Sequence, residues 1–322
     1  MTTPLRWGII GTGGIARRFA RDLEYVDALV EAVGSRSQES ADAFGAEFGV
    51  AKRYGSYQAV VEDPAVDVVY VATPHPMHHE NALLALEHDK PVLVEKAFTM
   101  TAEEARDLVA VARAKSLFLM EAMWTRFLPH VIALRRLLNE GALGDVLTVE
   151  ADHGQWFEKD PDFRLYAPAL GGGALLDLGV YPVSFASMVL GTPKSVTAVV
   201  TSAFTGVDGI TSMLFGYESG AQAILTCTSL ARSETRASIV GTEARIEIAG
   251  AFYSPSSFEL KLRNGTSETF EFSTQGRVLH FQAAEVARCL RSGELESPGM
   301  PLDESVSIME TMEKVLRFSE AK

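Results

Sequence analysis

LRWGIIGTGGIARRFA, residues 5–20, decides how this chain folds. Trp7, Ile9 and Ile10 belong to a short apolar run that stops at Gly11, the length and character of a strand buried in a parallel sheet. Gly11, Gly13 and Ala16 then spell G-x-G-x-x-A, and helix-forming residues follow at once. Each small residue has a mechanical duty in a strand–turn–helix that receives a pyrophosphate. Gly11 allows the tight turn, Gly13 lets phosphate approach the backbone, and Ala16 lets the helix sit close to the strand. The helix start offers unpaired N–H groups and the positive end of its dipole. A glycine triplet alone is a weak signal; between a strand and a helix it predicts a dinucleotide site.

The next strand, Ala28–Gly34, bears on which dinucleotide. An NAD site expects an acid at this strand's end, about 20 residues past the glycines, to take the ribose hydroxyls. The strand ends instead in Gly34-Ser35-Arg36-Ser37, and Glu31 lies inside it. A guanidinium flanked by hydroxyls suits a 2′-phosphate dianion, which selects NADP over NAD.

Bulk properties narrow the setting. At 322 residues the chain exceeds what one core fills, so two domains are expected. Lys+Arg of 29 against Asp+Glu of 42 gives a net charge of −13, which disfavours nonspecific nucleic-acid binding and anionic membranes. Cys227 and Cys289 form neither a disulfide framework nor a metal-type spacing. The opening MTTPLRWGII carries no apolar signal region, and no apolar run looks long enough to span a bilayer. A cytoplasmic protein is the expectation.

Strand Asp67–Thr73 runs into Pro74-His75-Pro76-Met77-His78-His79. No Cys, Asp or Glu stands within that loop to complete a metal set, so it reads as a loop over the cofactor, with no metal site. Strand Lys90–Val94 ends in Glu95-Lys96-Ala97, a charged pair at the strand end where α/β sheets bind ligands. Helix Thr101–Lys115 and strand Leu117–Met120 complete a first domain, residues 1–122, a doubly wound parallel sheet of Rossmann type.

Residues 123–322 read as a second, α+β domain. A helix from Met123 through Asn139 leads into the alternating strand Val146–Trp156. Strands at 196–203, 210–217, 221–230, 236–240, 244–248, 258–262 and 269–272 then predict one large, mainly antiparallel open sheet. Among them lies GGGALLDLGVYPVSFASMVLG, residues 171–191, a glycine-opened helix in which Asp177 and Tyr181 stand four apart on one face. From spacing alone this pair fits a packed core as well as a catalytic site.

The Gly11–Ala16 fingerprint, Ala72-Thr73-Pro74 after the third long strand, Glu95-Lys96 after the next and GGG-x-x-x-D-x-G at 171–179 together resemble the Gfo/Idh/MocA oxidoreductases over essentially the whole chain. EAMWTRFLP (121–129) and GGALLDLGVY (172–181) are most similar to the branch of dimeric dihydrodiol dehydrogenases and NADP-dependent D-xylose dehydrogenases. The resemblance implies that Lys96 and Asp177 are catalytic, and that Tyr181 takes the place where many members carry His. The family's Pro after the lysine is Ala97 here, which leaves that backbone less constrained. Further cofactor contacts are implied at Thr12, Gly14, Ile15, Thr73, Pro74, His75, His78, Glu95, Trp124 and Arg126, beside Gly11, Gly13, Ser35, Arg36 and Lys96. Trp124, His153, Tyr253 and Phe281 become candidates for the substrate pocket, although ordinary packing accounts for Phe281 nearly as well.

The implied reaction moves a hydride between a carbinol carbon and the nicotinamide. A tyrosine at its ordinary pKa of about 10 is too protonated to act as a base near neutrality, and a nearby ammonium favours the phenolate. Tyr181 becomes the general acid/base, Lys96 its electrostatic tuner and Asp177 the group that orients the hydroxyl. The substrate is a small polyhydroxylated ring, an aldose such as D-xylose or a trans-dihydrodiol, which sequence does not separate. A reductase of a keto- or deoxysugar, or a catalytically silent NADPH-binding sensor, are the alternatives. The open sheet must cover its exposed face, which predicts a homodimer through that sheet.

Overall fold

The structure is a computed structural model that describes residues 3–320. The chain packs as two compact units, Met1–Phe127 with Thr274–Ser305, and Leu128–Ser273 with Val306–Lys322.

The first unit holds six strands: β1 (Leu5–Ile10), β2 (Ala28–Gly34), β3 (Lys52–Tyr54), β4 (Val68–Val71), β5 (Val92–Glu95) and β6 (Leu119–Ala122). They pair in the order β3-β2-β1-β4-β5-β6, every pair parallel. Strand order therefore reverses between β1 and β4, and a crevice outside the carboxyl ends at such a reversal is where open α/β sheets take ligands. Every residue of β4, β5 and β6 is buried, as expected of strands covered on both faces. Helices α1 (Gly14–Asp22), α2 (Gln38–Phe48), α3 (Tyr57–Glu62), α4 (His78–Glu87) and α5 (Ala102–Lys115) make the crossovers. β3 had no signature in the sequence, because Lys-Arg-Tyr has no apolar alternation.

The domain boundary and the helix after β6 depart from the sequence expectation. Residues 274–305 belong to the first unit rather than to a continuous domain at 123–322. Buried Asp22 accepts the backbone N–H groups of Arg277 at 2.8 Å and Leu279 at 2.6 Å, and Leu119 of β6 donates to the Leu295 carbonyl at 3.1 Å. The helix expected from Met123 to Asn139 is two pieces. A 3-10 turn, Trp124–Phe127, ends before Leu128, which is held extended ahead of Pro129, and α6 (Pro129–Asn139) starts on that proline.

In the second unit β7 (Val146–Gly154), β8 (Ser195–Ser202), β9 (Asp208–Gly216), β10 (Gln222–Thr228), β11 (Ala237–Gly241), β12 (Ala244–Ile248), β13 (Phe258–Leu262) and β14 (Ser267–Phe270) form one sheet in the order β14-β13-β12-β11-β7-β10-β9-β8. Only β7 and β10 pair in parallel; the other ladders are antiparallel. One face is apolar and buried (Val149, Ala151, Val200, Met213, Phe215, Leu225, Ile239, Ile246) and packs on the helical segment at 175–190. The stretch Pro168–Leu190 is long and apolar enough to cross a membrane, contrary to the expectation, but 78% of its apolar 18-residue window is buried in the protein interior. It is the helix the sheet packs on, which explains its composition.

Candidate active site

The glycine turn has the form its sequence implied. Gly11 adopts φ +105°, and a Cβ there would lie 2.7 Å from the Ala72 carbonyl oxygen, so only glycine fits. Gly13 caps α1 without a side-chain bond, no acid stands in the first turn, and a Cβ on Gly13 or Gly14 would meet nothing within 4 Å. An uncapped helix start with open space before it suits the pyrophosphate of a dinucleotide. Thr12 and Ile15 flank this space, half-buried.

At the tip of β2, Ser35 accepts the Ser37 N–H at 3.3 Å, and Ser37 caps α2 by accepting from Ser40. Arg36 is exposed and approaches the Tyr57 hydroxyl, drawing its pKa down against the larger upward push of burial. Glu31, the acid inside β2, pairs with Lys52 at 2.8 Å. The tip therefore offers hydroxyls and a cation.

The loops after β4 and β5 are latched together. Tyr70 donates its hydroxyl to Glu95, whose other oxygen accepts the Lys96 N–H at 3.3 Å. His75 sets Nε2 3.1 Å from the Lys96 carbonyl oxygen. His78 places Nδ1 2.8 Å from the Ala97 carbonyl and Nε2 2.9 Å from the Thr73 carbonyl, while Asn81 donates to the Thr73 hydroxyl at 3.3 Å. His78 is fully buried, and that burial lowers its pKa, with the Ala97 and Thr73 carbonyls pulling the other way. The structure thus separates two groups of expected cofactor residues. Pro74 is exposed on the loop rim, while His78, Thr73 and Glu95 lie beneath and hold the backbone around Lys96. The histidine latches supply much of the constraint that Ala97, in the family's proline position, does not. Arg126 is also recessed, 3% exposed and paired with Glu304 at 2.6 Å. Trp124 and Phe281 both lie in the first unit; the Phe281 ring lies tilted against that of its neighbour His280, centroids 4.2 Å apart.

In the second unit the segment with Asp177 and Tyr181 begins as a π-turn, Leu175–Gly179, and continues as α7 (Val180–Leu190). Such turns are frequent at functional sites. The preceding glycines are required by contact. Gly172 and Gly173 donate to the carbonyls of Ala167 at 3.1 Å and Leu165 at 2.9 Å, and Gly173 has φ +135°. A Cβ on Gly173 would fall 2.2 Å from Asp208 Oδ1. Asp208 in turn accepts the Leu175 N–H at 2.6 Å and so fixes the start of the segment; burial pushes its carboxyl up to about 6, with that bond opposing.

Tyr181, His153 and Tyr253 form an aromatic cluster. His153 stacks on Tyr253 at 4.4 Å and lies 5.3 Å from Tyr181, and the two tyrosine rings are 4.6 Å apart. His153 Nδ1 is 3.1 Å from the Leu178 carbonyl, which only accepts, so the ring proton sits there in the neutral form. Nε2 then accepts from Gln155 at 2.9 Å, and Gln155 also reaches the Tyr253 hydroxyl at 3.3 Å. At 1% exposure His153 backs the cluster rather than lining it.

Two residues escaped the sequence reading. Gln155 locks the His153 tautomer, and Arg164 clamps Asp177 with Nη1 on Oδ1 at 2.8 Å and Nη2 on Oδ2 at 3.0 Å. Neither stands in a periodic or spaced motif; the turn at 165–173 brings Arg164 back to a residue 13 positions later.

A parallel nucleotide-binding sheet with a latched lysine, and an open sheet with an Asp–Tyr helix, define a two-part dinucleotide-dependent oxidoreductase. The chain belongs to the Gfo/Idh/MocA oxidoreductase family: residues 5–123 match its NAD-binding Rossmann fold and residues 131–247 its C-terminal domain. It is 37% identical to the D-xylose 1-dehydrogenase (NADP(+)) of Hypocrea jecorina, over 97% of this chain and 91% of that one. It is also 37% identical to the trans-1,2-dihydrobenzene-1,2-diol dehydrogenase of Sus scrofa, over 97% and 96%. Among solved structures, an aldose-aldose oxidoreductase from Caulobacter crescentus superposes with TM-score 0.90 at 26% identity, covering 99% of this chain and 98% of that one. A 3-ketoreductase from Actinomadura kijaniata in complex with NADP gives 0.85 at 28%, covering 98% and 97%.

Proposed function

We propose that this protein is an NADP-dependent dehydrogenase that oxidises a CH–OH group of a small polyhydroxylated ring, an aldose or a trans-dihydrodiol. The observation that carries this is that one chain holds both an uncapped glycine turn with a Ser35-Arg36 tip that lacks an acid and, in its other unit, the Asp177–Tyr181 segment. The names of the xylose and dihydrodiol dehydrogenases support both the cofactor and the substrate class. When bound, the dinucleotide supplies a nicotinamide that accepts a hydride. Gly11–Ile15 hold the pyrophosphate, and Ser35 and Arg36 hold the 2′-phosphate. Tyr181 takes the hydroxyl proton as the carbon gives up its hydride, so that C–OH becomes C=O. The Lys96 ammonium favours the phenolate that does this. Asp177 orients the hydroxyl, and Tyr253 lies against the substrate with His153 behind it.

Reduction of NADP⁺ against a panel of aldoses, inositols and dihydrodiols, followed by absorbance, tests the assignment. Tyr181→Phe is expected to lose about 10²- to 10⁴-fold in turnover with NADPH binding retained. Near-normal turnover would remove Tyr181 from its role. Wild type that binds NADPH but oxidises nothing in the panel would favour a sensor.

The exposed face of the second sheet supports a homodimer. Val199, at 65% exposure, and Ile210, Leu214 and Ile224 lie on neighbouring strands in register, with Leu214 opposite Ile224. Such a contiguous apolar patch marks an interface. A cytoplasmic location fits the acidic charge and the two reduced cysteines.

A further inference from the structure

Resting on the dehydrogenase assignment above, we propose that Arg164 and Asp177 together recognise a vicinal diol, so that Arg164 determines specificity for substrates with a hydroxyl next to the reacting one. Asp177 is 6% exposed, and both of its oxygens are engaged by one guanidinium in the bidentate arrangement that fixes a carboxylate's plane. A carboxylate held this way by a permanent cation is an acceptor for a hydroxyl proton, not a base that removes it, and this leaves proton transfer to Tyr181. The Arg164 side chain is 56% exposed, so the residue that clamps Asp177 also borders solvent. Acceptor and donor thus stand side by side. Adjacent hydroxyls of a ring match that pair, one donating to the carboxylate and its neighbour accepting from the guanidinium.

The placement is built into the fold. Leu165 and Ala167, one and three residues after Arg164, are pinned by the N–H groups of Gly173 and Gly172, and Tyr166 between them is fully buried and donates to the Ser229 carbonyl at 2.9 Å. The glycines that open the catalytic helix therefore also seat the arginine. Aldoses and trans-dihydrodiols differ in ring and reactivity, yet both carry vicinal hydroxyls, so one recognition element serves both substrate classes.

The test compares an aldose with its 2-deoxy analogue in wild type, Arg164→Met and Arg164→Lys. Wild type is expected to prefer the diol by about 10²-fold or more in kcat/KM, since a site that hydrogen-bonds a hydroxyl rejects the analogue lacking it. Arg164→Met should reduce that preference at least tenfold, mainly through a higher KM for the diol, and Arg164→Lys should fall between, because ammonium keeps the charge without the fork. A merely structural role would depress both substrates together; an unchanged preference in both variants overturns the proposal. NADPH binding, read by fluorescence, reports that each variant is folded. If wild type turns over neither compound nor any other member of the panel, the dehydrogenase assignment fails. Calorimetric affinities of the NADPH-loaded proteins for the two compounds then decide on Arg164 by the same ratio.

Discussion

Glu121 is a carboxyl that the fold isolates from water at the strand next to the one ending in Glu95-Lys96. It sits on β6 opposite Val94 of β5, fully buried, and neither oxygen accepts a hydrogen bond of ordinary geometry. Burial pushes its pKa from 4.5 up to about 7, against the smaller downward pull of the Ser305 hydroxyl and the Arg126 guanidinium. The native carboxyl therefore keeps its proton up to about pH 7, whereas the unfolded chain releases it near 4.5. Between those values folding takes up a proton, so stability falls as pH rises through this window and levels off above it. At about 1.4 kcal/mol per pK unit, the full cost is about 3 kcal/mol, of which about 2.5 accrues between pH 5 and pH 8. Glu121→Gln has no such ionisation. Urea unfolding at pH 5 and pH 8 is expected to show the variant gaining about 2.5 kcal/mol on wild type over that interval. A difference that stays constant within about 0.5 kcal/mol across the interval would refute the isolation of this carboxyl.

Two further perturbations address the cofactor and the assembly. Arg36→Ala removes a charge-assisted contact and should raise the Kd for NADPH about 10- to 100-fold, with that for NADH moving less than about threefold; equal losses for both by calorimetry would take Arg36 away from the 2′-phosphate. Leu214→Arg sets a cation in the apolar patch of β9. In the proposed two-fold dimer the change would apply twice, about 4 kcal/mol in all or about a thousandfold in dimer Kd, and a dimer that persists in micromolar light scattering would move the interface elsewhere.

Much of the candidate site was legible in the sequence because its chemistry is local. The glycine turn, the serine–arginine tip of β2 and the Glu95-Lys96 strand end each lie within a few residues of a recognisable strand, and the parallel order of β1, β2, β4, β5 and β6 follows from the crossover helices. Asp177 and Tyr181 were visible as a spaced pair, although spacing alone did not separate catalysis from packing. Resemblance to a family turned that open pair into an expectation of catalysis.

What only the tertiary structure decided is how these residues are held. His78 had the look of a cofactor contact in a loop, and both of its nitrogens face carbonyls, those of Thr73 and Ala97, from two separate chain segments. Residues 274–305 carry no compositional break, and they are tied into the first unit by distant bonds, to both carboxylate oxygens of Asp22, to Leu119 and to Arg126. Arg164 and Asp208 act on the segment that carries Asp177 and Tyr181 from 13 and 33 residues away, through one bidentate ion pair and one backbone cap. A sequence records which elements form, since periodicity and turn chemistry are properties of neighbours. Hydrogen bonds between distant segments depend on where those elements pack, and it is these bonds that fix the carboxylate, the lysine loop and the start of the helix that carries Tyr181.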